Sequence, residues 1–499
     1  MPHDDKANST FLQPRYITLL LASIACFGLF QAISVRTNAD VAWYLYTGDR
    51  ILDGARLGSD IVEVNAPLII LLSMGVEALA RLIACSAIAL LPWLVTALSC
   101  VSLAVCARIS RPWPAAVRQP FLTALAFVLF IDIGGMVGQR EHLLVILVMP
   151  YVCSLVRLAD REPIAAPHAI AIGIMAAIGF ALKPFFVPAW IALEAYVAIR
   201  RGVGVLWRPQ AVALTATLSL YALGIVLWTP EYLAFAAESL WLYRAYQPYG
   251  DLPVVLSNSF GYVLLAVVLT FRGARSMARS LIDVCGILAI LLSVAVFLQD
   301  KGWHYQWYPA GALATILLVV TAGAFAARSR FVTAAGVQGI ATLIIVLLAA
   351  RSYLFWTIDP PERHELETLV RRHANGEAIL ALSSHLHVGF PLVNETDVRW
   401  ASRYPTMWQL PAFCERSATT KCRSQGRQFL DAVVADVTEA RPRLLIVDSV
   451  PPTPSLTDFN YLEYFEQDPR LASALADYRF LRQIGRYRIF VRWYLDCGD

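Results

Sequence analysis

The feature that most constrains this chain is a series of apolar runs separated by short connections whose arginines alternate. The runs cover residues 16–35, 83–107, 121–137, 143–156, 169–182, 184–199, 211–228, 254–271, 281–298, 309–327 and 332–350. Alternate connections carry Arg clusters: Arg108/Arg111/Arg118, Arg157/Arg161, Arg200/Arg201/Arg208, Arg272/Arg275/Arg279 and Arg328/Arg330. The connections between them carry single basic residues, Arg140, Lys183, Arg244 and Lys301. An apolar run of roughly 20 residues crosses a bilayer as a helix, and basic loops stay in the cytoplasm. The reading is a polytopic α-helical membrane protein of about 11 transmembrane helices. Residues 1–15 are cytoplasmic, and Asp40, Glu141, Lys183, Lys301 and His304 lie on the outer side. Only 16% of residues are charged, and mean hydropathy is +0.57, which excludes an ordinary soluble domain. The net charge of +4 comes with topology signals rather than a nucleic-acid surface.

Counting crossings exposes one extra piece. Between the first outer loop, residues 36–82, and the Arg108 connection the chain must cross an odd number of times, yet residues 66–107 hold enough apolar length for two spans. Ser73, Glu77 and Arg81 recur at steps of four, a polar stripe on a helix. Glu77 precedes Arg81 in the favourable order for an ion pair. Residues 66–82 therefore read as an amphipathic helix lying on the outer surface.

Beyond Arg351 the hydropathy collapses. Residues 16–356 form the membrane domain, and residues 357–499 read as a small external α/β domain after the Pro360-Pro361 linker. Residues 378–382, 444–447 and 488–491 have the pattern of buried strands, with a helix over 427–439. Cys414 and Cys422 lie in this domain, where a local disulfide is one arrangement that spacing alone does not fix. The other cysteines fall mainly in apolar runs as small hydrophobes, and no CxxC pair occurs.

Acids and cations gather at one membrane depth. Asp40 follows the first span in Asn38-Ala39-Asp40-Val41-Ala42-Trp43. Glu141 opens a span in Gln139-Arg140-Glu141-His142, Lys183 occupies a helical hairpin before Pro184, and Lys301 and His304 sit among Trp303, Tyr305, Trp307 and Tyr308. Sugar transfer from a lipid phosphate needs one base for the acceptor proton and cations for the departing phosphate. Asp40 and Glu141 are the candidate acids; Arg140, Lys183, Lys301 and His304 are the candidate phosphate ligands. Asp60 and Glu63 are loop residues that could hold acceptor. Each has a plainer reading: Asp40 as a helix cap, Glu141 as an ion pair with Arg140, Lys183 as a snorkelling cation, and Lys301 and His304 as parts of an aromatic interface belt. His385 and His387 read as surface residues. Asn38-x-Asp40 makes no metal site; no cofactor is implied, and a divalent metal has no cluster to support it.

With these residues the chain resembles the GT-C membrane glycosyltransferases, in the family 39-like branch of protein O-mannosyltransferases and lipid A aminoarabinose transferases. The resemblance rests on Asp40 in the first outer loop, the Gly54 and Asp60 region, Asn65-Ala66-Pro67-Leu68 before the surface helix, and Glu141 in the second outer loop. It departs where the family commonly has Lys-Pro-Pro-Leu or His-Pro-Pro-Leu, and where the second-loop acid is usually Asp. The resemblance implies Asp40 as catalytic base, inversion at the sugar, a polyprenyl-phosphate sugar as donor, and a bacterial inner membrane with the C-terminal domain periplasmic. The acceptor, whether glycan, lipid or protein, stays open, as do the sugar and the oligomeric state. The rival class is a transporter or flippase of envelope glycan precursors, for which Asp132, Glu194 and Asp283 are the best residues. A glycan-binding scaffold would leave the first-loop acids without a use.

Overall fold

The structure is a computed structural model and describes residues 13–162, 164–246, 261–270, 275–299, 301, 303–328, 346–356, 361–414, 420–454 and 456–493. Among them, seven helices are long and apolar enough to cross a membrane: Arg15–Ser34, Ala87–Ile109, Ala115–Asp132, Arg140–Ala159, Pro209–Trp228, Ala278–Gln299 and His304–Ala327. Shorter apolar helices fill the remaining runs at Ala166–Ala181, Gly261–Thr270 and Val346–Trp356, and at Val187–Arg201. The chain is thus a polytopic helical membrane protein, and each apolar run of the sequence carries a helix. Parts of the 254–271 and 332–350 runs lie outside the described residues.

Close helix crossings rest on glycine. A Cβ on Gly173 would come within 2.4 Å of the Gln210 carbonyl oxygen, and one on Gly28 within 2.5 Å of Phe130 backbone. Small residues at such crossings let backbones approach in the absence of a hydrophobic driving force between helices. The Ala115–Asp132 span ends in a π-helical turn, Val128–Asp132. Such a turn frees carbonyls from the regular ladder, and side chains take them up. Tyr308 donates its hydroxyl to Val128 O at 2.6 Å, and His142 Nε2 lies 2.9 Å from Leu129 O.

The residues most favourable to transport have internal partners or lie at a span end. Glu194 accepts both guanidinium nitrogens of Arg208 at 2.7 and 2.6 Å, and Asp283 accepts the Tyr196 hydroxyl at 3.1 Å. Asp132 closes its span.

Helix Pro67–Leu82 starts on a proline, whose fixed φ suits a first helical turn. It packs along Ala39–Leu52, and Gly48 permits the crossing, since a Cβ there would sit 2.6 Å from Met74 N. The expected Glu77–Arg81 pair is replaced by a tertiary one. Arg81 reaches across to Asp49 at 2.5 Å and Asp53 at 2.9 Å, two carboxylates that outcompete a single neighbour on its own helix.

The C-terminal domain holds a five-stranded sheet in the order β2-β1-β3-β5-β4. Its strands are β1 Ala378–Leu382, β2 Arg399–Trp400, β3 Leu444–Asp448, β4 Tyr478–Ile484 and β5 Tyr487–Arg492. β1 runs parallel to β2 and β3, pairing Ile379 with Leu444 and Leu382 with Val447, while β5 and β4 close the sheet antiparallel. β1 and β3 are buried along their whole length, as continuous apolar strands between helices must be. The expected helix is Thr420–Ala440. Cys422's side chain lies outside the described residues, and with it the Cys414–Cys422 pairing.

This domain grips the first loop of the membrane domain. Arg36 bridges Glu367 and Glu395 at 2.6 and 2.8 Å. Asn394 donates to Ala42 O at 3.1 Å, the Trp400 amide donates to the Tyr46 hydroxyl at 3.1 Å, and Trp43 meets Phe390 edge-on at 5.1 Å. The seam between the two domains is where the polar residues of the first loop come to rest.

Candidate active site

Asp40 occupies the first turn of helix Ala39–Leu52, whose N-cap is Asn38. Asn38 Oδ1 accepts the Asp40 amide at 2.9 Å, the usual capping bond. Gln139 ties cap and acid together, its Nε2 donating to Asn38 Oδ1 at 2.7 Å and to Asp40 Oδ2 at 2.9 Å. The plainer reading of Asp40 as the cap therefore passes to Asn38. One carboxylate oxygen is fixed by Gln139, while Oδ1 has no protein partner among the described residues. Asp40 borders a cavity of about 320 Å³ on the seam between membrane and C-terminal domains.

Behind Asp40, Glu63 is buried and receives three donors: Trp43 Nε1, the Asn65 amide at 2.7 Å and Asn65 Nδ2 at 2.8 Å. Burial nevertheless raises its carboxyl above the usual range. Glu63 lines the cavity, yet both oxygens are committed to shaping the turn into helix Pro67–Leu82. Asn65 in turn accepts Arg140 Nη1. Asn65 thus anchors a cation. Arg140 is buried on the cavity wall, its guanidinium 5.5 Å from the Tyr44 ring centre, and its Nε has no partner among the described residues. Asp60 lies apart, in an exposed turn where it accepts the Arg56 amide at 2.9 Å.

Glu141 does not pair with Arg140. It pairs with Lys183, and both are almost completely buried. Lys183 also donates to Gln299 Oε1 at 3.1 Å, and Gln306 Nε2 donates to the same oxygen at 3.2 Å. Burial and the neighbouring Arg140 push the ammonium down to about 8. The pair lies behind the cavity wall, since neither residue lines it. Lys301 has another occupation. Its ammonium donates to the Tyr243 and Tyr246 carbonyls at 2.5 and 2.6 Å and sits 4.5 Å from the Tyr243 ring centre. It caps the C-terminal end of helix Pro230–Ala245, where unsatisfied carbonyls favour a cation. His304 is exposed to the cavity. The aromatics around it form a wall, with Tyr243 against Trp303 at 6.3 Å and against Trp408 at 5.5 Å.

Sequence reasoning did not find the opposite wall. It comes from the loop after β1, Ser384, His385, Leu386 and His387, together with Pro405, Thr406 and Trp408. His385 and His387, read from sequence as surface residues on a strand, follow the strand and face the cavity with rings 5.4 Å apart. Tyr246 ties the walls together by donating its hydroxyl to Ser384 O at 3.0 Å. Among the described residues no three His, Cys, Asp or Glu side chains gather as a metal site.

The chain has a GT-C-like membrane fold. Among solved structures it is similar to the crystal structure of ArnT from Cupriavidus metallidurans bound to undecaprenyl phosphate. That likeness has a TM-score of 0.56 at 11% identity and covers 98% of this chain and 100% of the other. No family model matches the sequence, and no curated protein does.

Proposed function

We propose that this protein transfers a sugar from a polyprenyl-phosphate donor to an acceptor hydroxyl in the cavity, with inversion and with Asp40 as general base. The observation that carries the reading is the meeting of an Asp40 oxygen free to take a proton with the buried Arg140 guanidinium on one cavity wall. The acceptor oxygen forms the bond to the anomeric carbon while the bond from that carbon to the phosphate oxygen breaks. The electron pair leaves with the polyprenyl phosphate, and the acceptor proton passes to Asp40 Oδ1. Arg140 and His304 stabilise charge growing on the departing phosphate. Glu141 and Lys183 act one layer back, holding the helix that presents Arg140. Lys301 acts through Tyr243 and Tyr246, and Asp60 has no contact with the cavity. Like the solved ArnT, seen with undecaprenyl phosphate, the protein would draw its donor from the membrane, placed here in a bacterial inner membrane with the sheet domain periplasmic.

The test is Asp40→Asn in proteoliposomes supplied with polyprenyl-phosphate sugars and envelope acceptors. Turnover should fall at least about a hundredfold, the scale of a lost general base, while donor binding persists. Near-normal turnover would refute the assignment of Asp40. Lipid and glycan extracts from cells with and without the protein would identify the sugar and acceptor.

A further inference from the structure

A second cavity, of about 210 Å³, lies away from the site just described. It is lined by Phe127, Ile131, Asp132, Leu348, Arg351, Ser352, Phe355 and Trp356. Asp132 ends the Ala115–Asp132 span, and Arg351 and Trp356 belong to the helix that leads into the sheet domain. The cavity therefore opens at the membrane face that carries that domain. Its frame is built. Gln31 donates to Ser352 Oγ at 2.9 Å, Ser352 Oγ lies 3.4 Å from Ile131 O, and the Trp356 ring rests against Gly134 and Gly135, so close that a Cβ on either glycine would overlap it.

Two opposite charges share this cavity, and neither Asp132 nor Arg351 has a hydrogen bond or ion pair among the described residues. Both side chains are exposed at the end of a span, the depth at which charged lipid headgroups lie. An anion alone would satisfy Arg351 and repel Asp132; a cation alone would do the reverse. A molecule carrying both charges satisfies both, with an ammonium donating to the carboxylate and a phosphate accepting the guanidinium fork. The volume equals about seven waters, room for a small headgroup. Phe127, Ile131, Leu348 and Phe355 supply an apolar flank beside it for an acyl chain, and Trp356 suits the headgroup level.

We infer that this cavity binds the headgroup of a zwitterionic phospholipid with a primary amine, an ethanolamine phospholipid, between Asp132 and Arg351. A primary ammonium offers the carboxylate N–H donors that a quaternary one lacks. The site is independent of the transfer reaction, so it stands whether or not Asp40 is the base.

The experiment is native mass spectrometry of the full chain released from nanodiscs holding equal ethanolamine, choline and glycerol phospholipids. Wild type should retain the ethanolamine lipid preferentially, which needs no variant to establish. Asp132→Asn and Arg351→Gln, shown to keep the wild-type melting profile, should each lower that retention about tenfold or more, the scale of a lost charged hydrogen bond. Equal retention of the glycerol lipid, or unchanged retention in both variants, would overturn the inference. Soluble phosphoethanolamine forming the same adduct in discs of glycerol lipid alone would overturn the membrane source.

Discussion

Removing Lys183 tests how the hidden layer behind the cavity works. Its ammonium and the Glu141 carboxylate are 7% and 1% exposed, so Lys183→Met strands a carboxylate whose ion-pair partner is gone. Breaking a buried pair from one side costs about 3–5 kcal/mol. Glu141→Gln strands the ammonium, which keeps Gln299, and should cost a comparable amount. The double variant Glu141→Gln/Lys183→Met removes both charges together and should return to within about 1–2 kcal/mol of wild type, because the desolvation of both ions disappears with their attraction. The two single losses would then exceed the double loss by several kcal/mol, a coupling readable in a double-mutant cycle. The assay is reversible unfolding in mixed detergent micelles, followed by tryptophan fluorescence. Additive losses, with the double variant as unstable as the sum of the singles, would refute the reasoning and leave the pair as two independent side chains.

Further outcomes follow from the same contacts. Arg140→Gln should weaken donor binding about tenfold or more in a tryptophan-quenching titration, with helical content unchanged. Glu63 has its carboxyl raised by burial, so the folded state holds its proton more tightly than the unfolded state. Its contribution is full at acid pH and is lost as pH rises through the folded pKa; Glu63→Gln should flatten that part of the stability profile measured by thermal melting. Gly173→Val should separate helices Ala166–Ala181 and Pro209–Trp228, seen as a lower melting temperature and reduced yield. An impermeant thiol reagent applied to single-cysteine variants should label position 303 from outside and position 108 only after permeabilisation.

Most of the membrane domain was legible because the bilayer imposes length and polarity on each run separately. β1 and β3 were legible for a similar reason, since 378–382 and 444–447 are unbroken apolar stretches, and β5 was legible from its shorter run Ile489-Phe490-Val491. β2 has only two residues, and β4 is largely exposed, so neither leaves a periodic trace. Asp40 could be singled out because an acid beside a span is costly to keep. Its orienting partner Gln139 lies 99 residues away, and Lys183 lies 42 residues from Glu141. Nothing in local spacing connects such pairs. For that reason Glu141 reads from sequence as a candidate catalytic acid or a partner of its chain neighbour Arg140, Lys301 reads as a phosphate ligand because the helix end it caps lies 55 residues away, and the two histidines turn inward only because the domains dock.

The docking of the sheet domain onto helix Ala39–Leu52 also sets an order of events at the ribosome. Contacts such as Asn394 to Ala42 span 352 residues and Tyr46 to Trp400 spans 354. At about 5–20 residues per second, the helix bearing Asp40 waits on the order of 20–70 seconds for the segment that covers it. During that interval Trp43, Tyr46 and the neighbouring acids stand open at the bilayer surface, and the nascent chain can insert fully without holding a finished cavity. Completion falls to residues 384–408, so a chain stopped anywhere before residue 408 is a membrane protein with half a cavity.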